Sequence, residues 1–132
     1  KYVEILNRSL IASGKFDVEM SQATSIKPTR ILQIGDGNFL RAFVDWMVDL
    51  ANGQGLMNGE VIMVQPLERG ISELMHAQDN LFTVLLRGVQ QGKEVESKRV
   101  VSCVKNALNP YAQWQDLLDV AKDPVLRFVV SN

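Results

Sequence analysis

The sequence predicts an α/β fold, a doubly wound and mainly parallel sheet with helices on both faces, and three observations carry the prediction. A short apolar run, 31–34, stops at a glycine and turns into a helical pattern that starts near Phe39. A second β-rich run, Glu60 to Gln65, follows after a crossover of the length that a βαβ unit needs, roughly 30 residues. A third apolar run, 125–130, comes after a further helical stretch. Strand and helix thus alternate as parallel sheets require.

Residues 2–12 read as a short helix broken at Ser13-Gly14, and residues 15–29 as an extended lead-in containing Pro28. The chain therefore divides into a lead-in, 1–27, and a domain, 28–132. Ile31, Leu32 and Ile34 have the near-continuous apolar character of a buried parallel strand. In the helix, Phe39, Leu40, Phe43, Val44, Met47, Val48 and Ala51 fall at three-to-four spacing and predict the buried stripe, with Arg41, Asp45 and Asp49 opposite. Asn38 is the expected N-cap and Asn52-Gly53 the stop. Gly53, Gly55 and Gly59 mark a loop before the second strand, which Pro66 closes. A right-handed crossover makes the two strands parallel neighbours.

A short helix is expected around 71–77, then two extended runs, 81–87 and 100–104, joined by VQQGKEVESK. Glycine and charge between β-rich runs predict a hairpin, with a link longer than a tight turn. Pro110 opens a helix through Ala121 with Trp114, Leu117 and Leu118 on its buried side, and Asp123-Pro124 stops it. Because the last strand is followed by nothing, the chain is expected to be the N-terminal piece of a larger protein.

Composition narrows the function. At 132 residues with 46% hydrophobic content the chain can build a core, and a net charge of −1 argues against a nucleic-acid binder working through a basic face. The single cysteine, Cys103, has no internal disulfide partner, which favours a reducing, cytoplasmic setting. No apolar run approaches the roughly 18 residues of a membrane span.

The glycine turn is where chemistry is expected. Gly35 allows a tight turn and Gly37 lets the backbone approach a pyrophosphate on the helix N-terminus, as in a Rossmann-like site. Leu40 stands where the common fingerprint has a third glycine, so the helix-to-strand contact should be relaxed. Asp36 is expected to point outward and line the site through its backbone, with Asn38 and Phe39 completing the turn. Gln65 ends the second strand, where an acid usually bonds the adenosine ribose; Glu68 and Arg69 follow and pull opposite ways, which leaves NAD against NADP open on residue chemistry. Ser131 and Asn132 end the last strand on the carboxyl edge, where open α/β sheets bind ligands. Arg41 either favours a bound phosphate or pairs with Asp45 one turn on.

The segments GDGNFLRAFVDWMVDL and MVQPLERG resemble the start of the mannitol dehydrogenase family of polyol and sugar-acid dehydrogenases, in its tagaturonate-reducing branch. Gly35, Gly37, Phe39, Arg41 and Ala42 fit that family's G-x-G-x-F-x-R-A opening, and LFTVLLRG, Asn109-Pro110 with the later Asp-Pro pair, and RFVVSN match further along. The resemblance covers 28–132. It implies an N-terminal Rossmann-type domain that binds NAD(H), a helical C-terminal domain carrying the catalytic lysine, and reduction of a keto-uronate, D-tagaturonate, to D-altronate in the bacterial cytoplasm. It also implies that no catalytic residue lies within this chain. Related polyol or fructuronate dehydrogenases, and a nucleotide-sensing module without chemistry, are the alternatives. Lys105 and Lys122 lack any motif that would place them beside a nicotinamide and read as surface residues, His76 as a helix residue, Cys103 as a small core residue, and no metal site is expected.

Overall fold

The computed structural model describes residues 3–21 and 26–132. In chain order its elements are α1 (Arg8–Ala12), β1 (Glu19–Met20), β2 (Thr29–Ile34), a π-helical stretch (Leu40–Asp45) that runs into α2 (Trp46–Gly53), β3 (Glu60–Val64), α3 (Ser72–Ala77), β4 (Phe82–Gln90), β5 (Lys93–Val101), β6 (Val104–Leu108), α4 (Trp114–Lys122) and β7 (Phe128–Ser131). Four strands form the main sheet in the order β6-β3-β2-β7, parallel at every pairing. Beside it, β1-β5-β4 make a second sheet in which β4 and β5 are antiparallel. The chain thus leaves β2 toward one edge through β3 and β6, then returns through α4 to the other side of β2.

Both faces of the main sheet are covered, as expected. Ile31, Val61, Met63, Val104 and Ala107 pack against Val48 of α2, Met75 of α3 and Phe82, Val84 and Val101 of the second sheet. Leu32, Ile62, Val64 and Leu108, on the opposite face, pack with Leu117 and Val120 of α4. Burying such side chains stabilises the fold by roughly 1.5–3 kcal/mol each.

The hairpin differs from its expectation. The charged stretch is itself strand, and β4 and β5 join through Gln91-Gly92 alone, both at positive φ (52° and 77°). That backbone matches the twist of the flanking strands, so the turn is tight where composition suggested a long link. The run at 100–104 is also two elements: β5 ends at Val101, and Ser102-Cys103 carry the chain into β6 of the other sheet. Pro110 lies in a turn closed by Ala112 and Gln113 N–H groups on the Asn109 carbonyl, so α4 starts only at Trp114, whose side chain is exposed. The N-terminal helix is shorter than 2–12, and β1 gives the lead-in one paired segment; the rest of that expectation, at 1–2 and 22–25, lies outside the described residues.

The first long helix is turned relative to its apolar pattern. Leu40 and Val48 are buried, but so are Asp45 and Asp49, whereas Phe39, Phe43 and Met47 are exposed. The wide π-helical turn shifts the facing residues, and specific partners accept the two acids. Asp49 receives Arg99 Nε at 2.8 Å and the Ser102 backbone N–H at 2.8 Å, with both Ser21 and Ser102 hydroxyls in range. Arg99 also donates to Ser21, so one buried carboxylate ties α2 to the end of β5 and to the lead-in. The stop lies where predicted: α2 ends at Gly53, and the Asn52 amide grips both backbone polar groups of Gly59.

Candidate functional site

The carboxyl ends of the parallel strands all open on one edge, and the chain reverses its direction of travel across the sheet between β2 and β7. Neighbouring connections run away from each other at such a switch point, leaving a crevice outside the strand ends. The glycine turn lies there. Gly35 N–H donates to the Val64 carbonyl at 2.9 Å, and Ile34 pairs in register with Ser131, which brings Gly35, Ser131 and Asn132 together.

The two glycines have different reasons to be glycine. Gly35 has φ +134°, and a Cβ there would meet Leu40 Cδ1 at 2.8 Å and Asn132 Oδ1 at 3.0 Å. Leu40, in the position of the missing third glycine, therefore fills the space that Gly35 vacates, and the π-helical turn supplies the relaxed helix-to-strand contact. Gly37 lies outside the left-handed region, and a Cβ there would meet nothing within 4 Å. The fold itself gives no reason for glycine at 37. Its open face leaves the backbone accessible to an approaching ligand.

Side chains around the turn are held in ways the sequence did not show. Asp36 turns inward instead of outward: its carboxylate accepts the Ile71 N–H at 3.1 Å. Gln65 is buried, accepts the Ser72 N–H at 3.1 Å, and donates to the Leu67 and Glu68 carbonyls at 3.0 Å each. These two expected cofactor residues thus satisfy the first N–H groups of α3 and shape the 66–70 loop, meeting across Gly70, where a Cβ would lie 2.7 Å from Gln65 Oε1 and 2.8 Å from Asp36 Oδ2. Asn38 does not cap the helix through a backbone N–H; its Oδ1 accepts Arg41 Nη2 at 2.6 Å. Arg41 also donates to the Asp36 carbonyl at 3.0 Å and lies 5.6 Å from the Phe82 ring centre, so it braces the turn, and its hydrogen bonds go to Asp36 and Asn38 and not to Asp45. Phe39 is exposed and paired with Phe43 at 5.4 Å between ring centres.

Two residues at this edge were missed. Asn109, just past β6, reaches the Glu68 carbonyl at 3.5 Å. Gln33 is fully buried in β2, and its signal was a lone polar residue inside an apolar run. Elsewhere, Cys103 is buried, donates to the Asp45 carbonyl, and burial holds its thiol pKa well above the ordinary range, which suits a core residue. His76 meets Asn106 at 2.9 Å, Lys105 lies 3.9 Å from Glu60, and Lys122 is the exposed last residue of α4. No cluster of three His, Cys, Asp or Glu suited to a metal ion occurs among the described residues. No helix among them is long and apolar enough to cross a membrane.

Asp45 is the carboxyl that burial perturbs beside this turn. Burial pushes its pKa up to about 7, opposed by the hydrogen bond from Gln33 and the positive charge of Arg41 and reinforced by Asp49. A carboxyl whose folded pKa lies above its unfolded value contributes stability at low pH and loses it as pH rises through the folded pKa. The Asp45→Asn variant should therefore gain stability over the parent by roughly 2 kcal/mol more at pH 8 than at pH 5, most of the change falling below about pH 7. Thermal midpoints at the two pH values check this; a gain equal at both shows that Asp45 does not titrate there.

A sheet whose first strand is central, with a glycine turn at its switch point and helices on both faces, defines a Rossmann-like domain. Comparison with known proteins places it further. The chain is 40% identical over 131 residues, 98% of its length, to the altronate oxidoreductase of Halalkalibacterium halodurans, of which that match covers 25%. It is 43% identical over 110 residues to the altronate oxidoreductase of Phocaeicola vulgatus and 42% identical over 106 to that of Bacteroides thetaiotaomicron, covering 83% and 80% of this chain and 23% and 22% of those proteins. The chain thus spans about a quarter of the length of the curated relatives it matches. Among solved structures, the mannitol 2-dehydrogenase of Pseudomonas fluorescens, a ternary complex with NAD and D-mannitol, superposes with a TM-score of 0.82 at 23% identity, covering 96% of this chain and 26% of that one. A D-sorbitol dehydrogenase in substrate-free form gives 0.78 at 23% identity, with the same coverage of each chain. No family model matches the sequence. The resemblance seen in the motifs is borne out as similarity to altronate oxidoreductases, and the fold as that of the mannitol and sorbitol dehydrogenases.

Proposed function

We propose that this chain is the dinucleotide-binding part of an NAD-dependent oxidoreductase acting on sugar acids, and that the longer protein reduces D-tagaturonate to D-altronate in the cytoplasm. The observation that carries the reading is the open face of Gly37 at the switch point, a glycine that the fold does not require. Identity of about 40% to altronate oxidoreductases supports the reaction class and the substrate.

In this reading the backbone of Gly35, Asp36, Gly37 and Asn38 holds the pyrophosphate, with Phe39 on the outer rim. Gln65 acts on the ribose end through the 66–70 loop that it shapes, and Ser131 and Asn132 border the nicotinamide side of the crevice. Bound NADH supplies the hydride. In this reading the chain orients the dinucleotide, while Lys105 lies toward Glu60 and Lys122 is exposed at the end of α4. The proton for the substrate oxygen comes from a C-terminal domain, the partner this reading requires.

The experiment is NADH oxidation by the longer protein with tagaturonate, fructuronate and fructose as competing substrates. Tagaturonate is expected to give the highest kcat/KM. Fructuronate or fructose ahead of it sinks the substrate assignment, and NADH binding without turnover of any of them favours a nucleotide-sensing module.

A further inference from the structure

We infer that Gln33 and Asp45 are positioning residues for the glycine turn: the Gln33 amide, held by Asp45, fixes the Gly35 carbonyl and thereby aims the backbone of residues 35–38 at a bound dinucleotide. The inference rests on the reading of that turn as the dinucleotide site and names what sets its direction. Gln33 Nε2 donates to the Gly35 carbonyl at 3.1 Å and to Asp45 Oδ2 at 3.2 Å. Both partners are acceptors, so the amide nitrogen must face them. Among the described residues, Gln33 Oε1 and Asp45 Oδ1 have no hydrogen-bond partner, and both are buried.

An amide and a carboxyl each left with an unpaired oxygen in the core are costly, and an apolar pair would fill the same space without that cost. What the polar pair adds is direction at one peptide. Gln33 belongs to β2 and Asp45 to the π-helical stretch, so the pair links strand to helix beneath the turn that joins them. Arg41 braces the outer side through the Asp36 carbonyl, and the turn is held from both sides.

The pair has two states. Ionised Asp45 accepts only, which locks the Gln33 amide with its nitrogen on the Gly35 carbonyl. Protonated Asp45 can donate to Gln33 Oε1, and the flipped amide then presents oxygen to the Gly35 carbonyl and releases it. The charged and titratable groups around Asp45 are Arg41 and Asp49 on its own helix, Arg99 of β5 paired to Asp49, Cys103 between β5 and β6, and Glu60 of β3 beyond it. Of these, Cys103 bonds the Asp45 backbone and Arg99 neutralises Asp49, so among the described residues the hydrogen bond to the Asp45 carboxyl comes from Gln33.

The test is the affinity of the longer protein for NADH, by titration calorimetry at pH 6 and pH 8, which bracket the Asp45 pKa of about 7. Affinity of the parent should fall about fivefold from pH 8 to pH 6, the worth of one ordinary hydrogen bond. Asp45→Asn should flatten that profile. Gln33→Leu should bind about fivefold more weakly at pH 8, again with a flat profile. Variants that lower the melting temperature but keep the parent's affinity and its pH profile would show a merely structural pair and overturn the inference. So would a parent whose affinity rises toward pH 6, the sign that repulsion between Asp45 and phosphate would give. A parent that binds no NADH at either pH overturns the dinucleotide reading and this inference with it; one that binds while its variants match it overturns the inference alone.

Discussion

Replacing Gly37 by valine should weaken NADH binding to the longer protein by about a hundredfold or more, a cost near 2.7 kcal/mol, while leaving its melting temperature almost unchanged. The asymmetry follows from the two glycines. At 37 a new Cβ meets nothing within 4 Å beyond its chain neighbours, so the folded chain accepts it, but in the proposed site it projects into the space where the pyrophosphate reaches the backbone. At 35 the same kind of change strikes the fold: alanine there adopts φ +134° and drives a Cβ to 2.8 Å from Leu40. Gly35→Ala should therefore cost stability, on the order of 1–3 kcal/mol, before any effect on ligand. Calorimetric titration together with thermal denaturation of both variants separates the cases. If Gly37→Val keeps the parent's affinity, the phosphate site is not at this turn.

Removing Arg99 should destabilise the protein by about 3–5 kcal/mol, because it strands a buried carboxylate. Asp49 is 1% exposed in its side chain and Arg99 is 11% exposed, and their 2.8 Å contact is the charge-bearing link between α2 and the second sheet. The Ser102 N–H and hydroxyl remain as donors after the change, but neither carries charge. Arg99→Met should thus lower the thermal midpoint sharply. The double variant Arg99→Met with Asp49→Leu should recover much of the loss, since an apolar pair needs no compensation. A single-variant cost under about 1 kcal/mol would place the pair among solvent-screened contacts.

The glycine turn, the parallel strands around it and the carboxyl edge were legible in the sequence because each depends on local chemistry. Apolar runs ending at glycine, a helical period after it and a proline closing the second strand are readable without knowing what packs where. The face of the first long helix was not legible. Its pattern put Phe39, Phe43 and Met47 inside and Asp45 and Asp49 outside, and the structure reverses both sets. Periodicity weighs hydrophobicity alone, whereas a buried acid is decided by distant partners, here Gln33 twelve residues away and Arg99 fifty residues away. For the same reason the strand-end position of Gln65 did not reveal that its side chain bonds to its own loop and to α3.

The sequence by itself determined the fold class, the position of the glycine turn and the family likeness, since motif spacing and short-range turn chemistry survive in any one-dimensional reading. Only the tertiary structure decided which polar side chains face the crevice and which are spent inside the protein. That division depends on hydrogen-bond partners brought together by strand order, and strand order is a long-range property. It also separated two glycines that read alike, one required by backbone conformation and packing, the other opening onto space that no described residue fills.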